Sequence, residues 1–92
     1  MGVIREKIGD AAMCEMLAEE CSELAQAALK YARIIRRENP TPVSEDDAHA
    51  NLIEEFTDVI QCAKELELVV NTRQIFHKEQ RFLDRWEDMR CG

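Results

Sequence analysis

The sequence predicts an all-α protein, an antiparallel helical bundle of about three long helices per subunit. Apolar residues recur at helical spacings through three segments, and no segment alternates apolar and polar residues with the period of two that is typical of strands. Ninety-two residues form one domain, 1–92, and a chain of this length buries only a modest core. We therefore expect oligomerisation, as a homodimer or homotetramer, to complete the bundle.

The first long helix is predicted over about residues 10–38, where neither glycine nor proline interrupts the chain. Its apolar residues recur at helical spacings: Met13, Leu17, Leu24, Ala28 and Ile35. At a rise of 1.5 Å per residue this helix is roughly 40 Å long, so it overhangs a lone 92-residue globule. The overhang also indicates a partner subunit.

Pro40 and Pro42 interrupt the chain, and Ser44 follows them as the predicted N-cap of a second helix. Asp47, three residues later, completes an arrangement like a capping box, and the acidic run 45–47 suits the positive end of the helix dipole. This helix is predicted to reach about Val70.

Asn71 and Thr72 offer a turn and the cap of a third helix. One face of that helix is predicted to carry Ile75, Phe82, Trp86 and Met89. Trp86 either stacks on a nucleobase or packs in the core, and its spacing from Phe82 and Met89 favours the core. Short connections between the helices predict antiparallel neighbours.

Charge and composition restrict the class of protein. A net charge of −7 disfavours nucleic acid as a partner, because phosphates require a basic surface. No apolar run approaches the roughly 20 residues of a membrane span, and no apolar leader is visible, so we expect a cytoplasmic protein. The cysteines form no CxxC pair, which disfavours zinc and predicts free thiols that act as small buried apolar residues.

A twelve-residue repeat links the first two helices. Residues 17–28, LAEECSELAQAA, match residues 52–63, LIEEFTDVIQCA, at a constant offset of 35. Both glutamates, the leading leucine, the glutamine and the last alanine are identical. Two antiparallel helices with one shared pattern can be related by a local two-fold axis, so equivalent side chains are expected to face each other.

The repeat places carboxylates on apolar faces. The helical neighbours of Glu20 are apolar except for Glu23, and those of Glu55 are apolar except for Asn51 and Asp58. Glu19, by contrast, has largely polar neighbours. Glu23 and Asp58 lie one turn further along. Buried carboxylates without a basic partner are costly, and a divalent cation removes that cost. We therefore expect Glu20, Glu23, Glu55 and Asp58 to bind Mg²⁺, with Mn²⁺ as an alternative; a solvated or salt-bridged face is the competing interpretation.

An ExxE motif followed by an ExxD motif on the next helix resembles the MazG-like all-α nucleoside triphosphate pyrophosphatases. The resemblance spans about residues 13–68 and is carried by the strings 17–20 and 54–59. It implies hydrolysis of the α–β phosphoanhydride of a nucleoside triphosphate, giving a nucleoside monophosphate and pyrophosphate. The four carboxylates would then be the Mg²⁺ ligands by position.

Within that reaction, Glu19 or Glu54 is expected to orient or deprotonate the attacking water, because each lies beside a metal ligand. Lys30 and Arg33 are expected to bind the outer phosphates. The competing interpretation is a solvated basic helix end, which explains Lys30 equally well and Arg33 better. Lys78, Arg81 and Arg85 are weaker candidates for the same role.

The chain departs from the family in having only about a dozen residues before Met13, where members usually carry a further helical segment. The base pocket would then be more open or be completed by another subunit. A non-catalytic helical oligomerisation or regulatory module that retains the scaffold is the alternative function. A ferritin-like di-iron site is disfavoured because no glutamate precedes either histidine by three residues.

Overall fold

The computed structural model describes residues 2–38 and 42–91, the side chain of Cys91 excepted. These residues form four helices and no strand, which confirms the all-α prediction for the described part of the chain. The helices are α1 (Val3–Ile8), α2 (Asp10–Arg36), α3 (Glu45–Glu65) and α4 (Thr72–Cys91). The break predicted at Pro40 falls on residues 39–41, which lie outside the described residues.

The predicted caps of α3 and α4 are confirmed. Ser44 Oγ accepts a hydrogen bond from the backbone N–H of Asp47 at 3.1 Å, which satisfies a free donor in the first turn of α3. Asn71 Oδ1 accepts one from the N–H of Gln74 at 3.0 Å at the start of α4. Side-chain oxygens one turn before an apolar run were therefore a reliable signal of both helix starts.

Helix α3 ends at Glu65 and not at about Val70, so the predicted end was wrong. Glu67 has a φ of 59°, in the left-handed region, and its N–H bonds the carbonyl of Lys64. The N–H of Leu68 bonds the carbonyl of Ala63 at 2.9 Å. This is a Schellman closure at a non-glycine residue, and glycine is the residue that usually announces it in a sequence.

Helices α2 and α3 pack along each other as the core of the molecule. Among the described residues, the buried apolar side chains are Met13, Ala27, Ala48 and Cys62. Each helix contributes two of them, fourteen residues apart, which is close to four helical turns. Tyr31 and His49 add a ring contact across the hairpin, with their centroids 5.3 Å apart.

Some side chains predicted on the apolar face of α2 lie outside it. Ala27 is buried where Ala28 was expected, and both Ala28 and Ile35 are exposed. The expectation of buried thiols is confirmed for Cys62 and wrong for Cys14 and Cys21, which are exposed. Cys14 and Cys21 are exposed because successive residues turn by about 100° around the helix axis. Both therefore lie roughly 80–100° away from the buried Met13.

A side chain from the end of α3 holds the short helix α1. Glu65 Oε1 accepts a hydrogen bond from the backbone N–H of Arg5 at 2.8 Å, in the first turn of α1. The Glu65 carboxylate also fills the space where a Cβ on Gly2 would stand. Arg5 in turn bonds Asp10 Oδ1 at 2.8 Å, so α1 is tied to the ends of both long helices.

Helix α4 stands apart from the other three helices. Within one chain the predicted three-helix bundle is therefore reduced to the α2–α3 hairpin with α1 across its end. Trp86, predicted to pack in the core, is 52% exposed and stacks on Phe82. An amphipathic pattern shows that a face is apolar but not which surface covers it, and this is why the prediction failed.

No helix among the described residues combines the length and the apolar character that a membrane crossing requires.

Candidate metal centre

Three carboxylates meet where α2 and α3 pack together. Glu20 and Glu23 lie one turn apart on α2, and Glu55 projects from α3. One oxygen from each lies within 4.8 Å of the other two. Glu20 and Glu55 are equivalent positions of the twelve-residue repeat, so the structure brings together the two glutamates that the repeat predicted to face each other.

One carboxylate oxygen of each repeat-related glutamate is buried without a hydrogen-bond donor. Glu20 Oε2 and Glu55 Oε2 are both shielded from solvent, and neither has a hydrogen-bond partner. With the three carboxylates ionised, each offers only acceptors, so the cluster cannot satisfy itself. A buried acceptor left in this state costs free energy, and a cation is the simplest group that removes the cost.

The same environment shifts the protonation of the two glutamates. Burial raises the pKa of Glu20, and the neighbouring charge of Glu23 and a hydrogen bond to its carboxyl raise it further. Burial also raises the pKa of Glu55, followed by the charges of Glu23 and Asp58. Glu23 is thus within hydrogen-bonding reach of both glutamates when a proton is present. The raised pKa values mean that Glu20 and Glu55 bind protons more readily than ordinary carboxyls do.

Asp58 lies beside the cluster and outside the three oxygens that come within 4.8 Å of one another. Its charge nevertheless raises the pKa of Glu20, of Glu55 and of the buried Cys62 thiol, for which burial is the larger cause. Asp58 therefore contributes negative potential to the site. The structure places three of the four predicted ligands together and the fourth within electrostatic range.

The geometry suits a small hard cation. Mg²⁺ binds oxygen at about 2.0–2.1 Å, so oxygens on opposite sides of one ion lie about 4.2 Å apart and adjacent ones closer. An oxygen set confined within 4.8 Å can close on such an ion with small side-chain movements. The donors are all carboxylate oxygens, which favours Mg²⁺ or Mn²⁺ over softer metals.

The predicted water-orienting residues, Glu19 and Glu54, are both exposed. Glu19 lines an open groove of about 640 Å³ along α2, and the lining of this groove includes neither Glu20 nor Glu23. Sequence reasoning missed the other lining residues, which are Ala12, Glu15, Met16, Ala18 and Ser22. The four-residue spacing of Glu15, Glu19 and Glu23 was the available signal, because it places the three on one side of the helix.

The predicted phosphate-binding residues lie further along α2. Lys30 is half-buried and follows Glu23 by two turns, whereas Arg33 is exposed near the end of the helix. The weaker candidates on α4 gather around one groove of about 230 Å³, which Lys78, Arg81, Phe82 and Arg85 line. Since α4 stands apart from the hairpin, these cations do not reach the carboxylate cluster of their own chain.

Comparison with known proteins gave no match: no protein-family model matches the chain, and neither a curated protein nor a solved structure resembles it significantly.

Proposed function

We propose that the chain is a cytoplasmic Mg²⁺-dependent nucleoside triphosphate pyrophosphohydrolase, which cleaves a ribo- or deoxyribonucleoside triphosphate at the α–β phosphoanhydride. The observation that carries the proposal is the pair of buried Oε2 atoms of Glu20 and Glu55 without a partner. The two belong to a sequence repeat and share a cluster with Glu23. The resemblance of the paired motifs to the MazG-like pyrophosphatases supports the choice of reaction.

The chain's own residues divide the work. Glu20, Glu23 and Glu55 hold the cation, and Asp58 joins them or adds negative potential. Bound Mg²⁺ supplies the positive charge that draws in a triphosphate and increases the acidity of water. Lys30 and Arg33 bind the outer phosphates. Phosphoryl transfer depends mainly on positioning and electrostatics, so this set is chemically sufficient once water is oriented.

Glu19 and Glu54 are expected to differ in their effect on turnover. Glu19 directly precedes the cluster residue Glu20 on α2, and the charge of Glu54 contributes to the raised pKa of Glu55. Replacing the residue that orients or deprotonates water by alanine should lower kcat by about 100-fold or more and leave Mg²⁺ affinity nearly unchanged. Steady-state kinetics and Mg²⁺ titration of Glu19→Ala and Glu54→Ala check this. A variant with full turnover excludes its residue from the mechanism.

Pyrophosphate release from a panel of ribo- and deoxyribonucleoside triphosphates tests the proposed function. We expect the wild type to release pyrophosphate with Mg²⁺ or Mn²⁺ and to lose this activity in EDTA. Diphosphates should yield no pyrophosphate, because they lack the β–γ unit that leaves. Folded protein that releases none from any triphosphate would contradict the proposal.

A non-catalytic helical oligomerisation or regulatory module is the second candidate. The observation that favours it is α4, an amphipathic helix whose apolar side chains are exposed. In this case Mg²⁺ would not bind at micromolar to millimolar concentration. Homodimer or homotetramer formation belongs to both candidates, and it is supported by a radius of gyration of 17.4 Å, against about 12 Å for a compact chain of this length.

A further inference from the structure

Helix α4 carries an apolar stripe that its own chain leaves uncovered. Ile75, Phe82, Trp86 and Met89 follow one another at spacings of seven, four and three residues, so they lie along one side of the helix. Their exposed fractions run from 51% to 78%. The Phe82 and Trp86 rings stack with centroids 6.3 Å apart, which makes the centre of the stripe a continuous aromatic surface.

Helix α3 carries a second uncovered strip on the side that faces away from α2. Ile53, Phe56 and Ile60 lie three and four residues apart and are 52%, 53% and 37% exposed. Ile60 lines a groove of about 250 Å³ with Thr57, Gln61 and Lys64. The hairpin therefore presents an apolar ridge of about two turns, with a groove beside it that an aromatic side chain can enter.

The exposed surface is large enough to account for a stable dimer. The chain exposes 7637 Å², whereas a compact protein of 10.6 kDa exposes about 5,500 Å². The difference, roughly 2,100 Å², exceeds the roughly 800 Å² that each partner buries in an interface of standard size. A second copy that covers α4 would restore an ordinary ratio of surface to mass.

Charge favours the same arrangement. Helix α4 contains five basic and four acidic residues, whereas residues 1–71 contain seven basic and fifteen acidic ones. One flank of the apolar stripe is basic, with Lys78, Arg81 and Arg85 grouped around Phe82. A slightly cationic helix is thus attracted to the strongly anionic hairpin of another copy, and the attraction is mutual when both copies exchange their helices.

From these observations we propose that two copies of the chain exchange their α4 helices, the stripe Ile75, Phe82, Trp86 and Met89 of each copy packing on the strip Ile53, Phe56 and Ile60 of the other. The exchange gives a closed two-fold dimer, in which both contacts are the same. The inference rests on the assembly part of the proposed function and does not depend on the hydrolase activity.

Cross-linking of the wild-type chain tests the exchange without any substitution. The proposed contact places α4 antiparallel to α3 of the other copy, with Phe82 beside Ile60. Lys64, four residues after Ile60, then lies near Lys78, four residues before Phe82. Unlabelled and ¹⁵N-labelled chains are mixed, denatured and refolded together, treated with an amine-reactive cross-linker and digested. We expect Lys64–Lys78 cross-links that join a light and a heavy peptide. Cross-links only between peptides of one isotope, or none between these lysines, would overturn the proposal.

Sedimentation of paired variants gives an independent measurement. Ile60→Glu and Phe82→Lys should each weaken the dimer by at least about 30-fold, because each places a charge in both copies of the contact. Mixing the two variants should restore the dimer, since one contact is then native and the other pairs Glu with Lys. Leu29→Glu, which adds the same charge to an exposed residue of α2, should leave the dimer intact.

The outcomes separate this proposal from the hydrolase. A wild-type chain that sediments as a monomer, or a mixture of the two variants that stays monomeric, overturns the exchange whatever the activity shows. A dimer that fails to release pyrophosphate overturns the hydrolase and leaves the exchange standing. Circular dichroism of each variant confirms that its helices are formed.

Discussion

Glu55→Gln is expected to reduce Mg²⁺-dependent pyrophosphate release by about 100- to 1,000-fold, the loss typical of removing one preorganised charged group from a phosphoryl-transfer site. Glu55 lies in the three-carboxylate cluster, and its Oε2 is buried with no partner. Glutamine keeps the volume of the side chain and removes the charge, so the variant isolates the electrostatic contribution. Steady-state kinetics at saturating Mg²⁺ measure the loss.

Glu45→Gln provides the matched control for this substitution. Glu45 is an exposed acid in the first turn of the same helix, and it lies outside the cluster. The control should retain activity within about two-fold, because it changes only a solvated charge near the helix start. Equal losses in both variants would show that the net charge of α3, and not the cluster, controls the reaction.

Glu55→Gln, which is expected to lower activity, is expected to raise the stability of the metal-free protein. Burial and the charge of Glu23 raise the pKa of Glu55, so the ionised carboxylate destabilises the fold at neutral pH. Glu55→Gln removes that charge and should raise Tm at pH 7 in EDTA. Differential scanning calorimetry of wild type and variant measures the change.

The pH dependence of this difference has a definite sign. A carboxyl whose pKa is raised in the folded state binds more protons when the protein is folded than when it is unfolded. Its stabilising contribution to the free energy of unfolding is therefore fully present below the unfolded pKa of about 4.3. It is lost as pH rises through the higher folded pKa. The advantage of Glu55→Gln over the wild type should therefore shrink as pH falls toward 4.3. An advantage that grows on acidification would contradict the assigned shift.

With Mg²⁺ bound, the wild type should become more stable than Glu55→Gln. At 100 times its dissociation constant, a ligand bound only to the folded state adds about 2.7 kcal/mol. In a domain of this size that corresponds to a rise in Tm of roughly 10–20 °C. The wild type should show this rise and Glu55→Gln should lose most of it. Equal rises in both proteins would place the cation elsewhere.

Local sequence signals predicted the parts of the fold that local chemistry determines. Ser44 and Asn71 announced the starts of α3 and α4 because their side chains hydrogen-bond the first turn of the helix that follows. The repeat predicted that Glu20 and Glu55 face each other, since equal patterns on two packed helices place equal positions opposite each other. The two caps depend on residues within one turn of the helix start, and the facing glutamates depend on the pattern that the two helices share.

Features that depend on distant surfaces were not predictable in the same way. One face of α4 was correctly identified as apolar, but Trp86 does not pack in the core of its own chain, because periodicity carries no information about which surface covers a face. The end of α3 was missed because Glu67 adopts a left-handed conformation that sequence reasoning reserves for glycine. The lateral position of Asp58 depends on how the two helices are rotated about their axes, which the spacing of residues leaves undetermined.

Helix α1 has six residues and is too short to persist alone in water, since nucleating a helical turn is unfavourable. The helix is stabilised by Glu65, the last residue of α3, whose carboxylate accepts a hydrogen bond from the Arg5 backbone N–H. Breaking the bonds of Arg5 to Glu65 and Asp10 releases the segment while the hairpin stays formed, so we expect α1 to open separately from the hairpin in native-state hydrogen exchange. The amide of Arg5 therefore reports on the far end of the hairpin, sixty residues away along the chain.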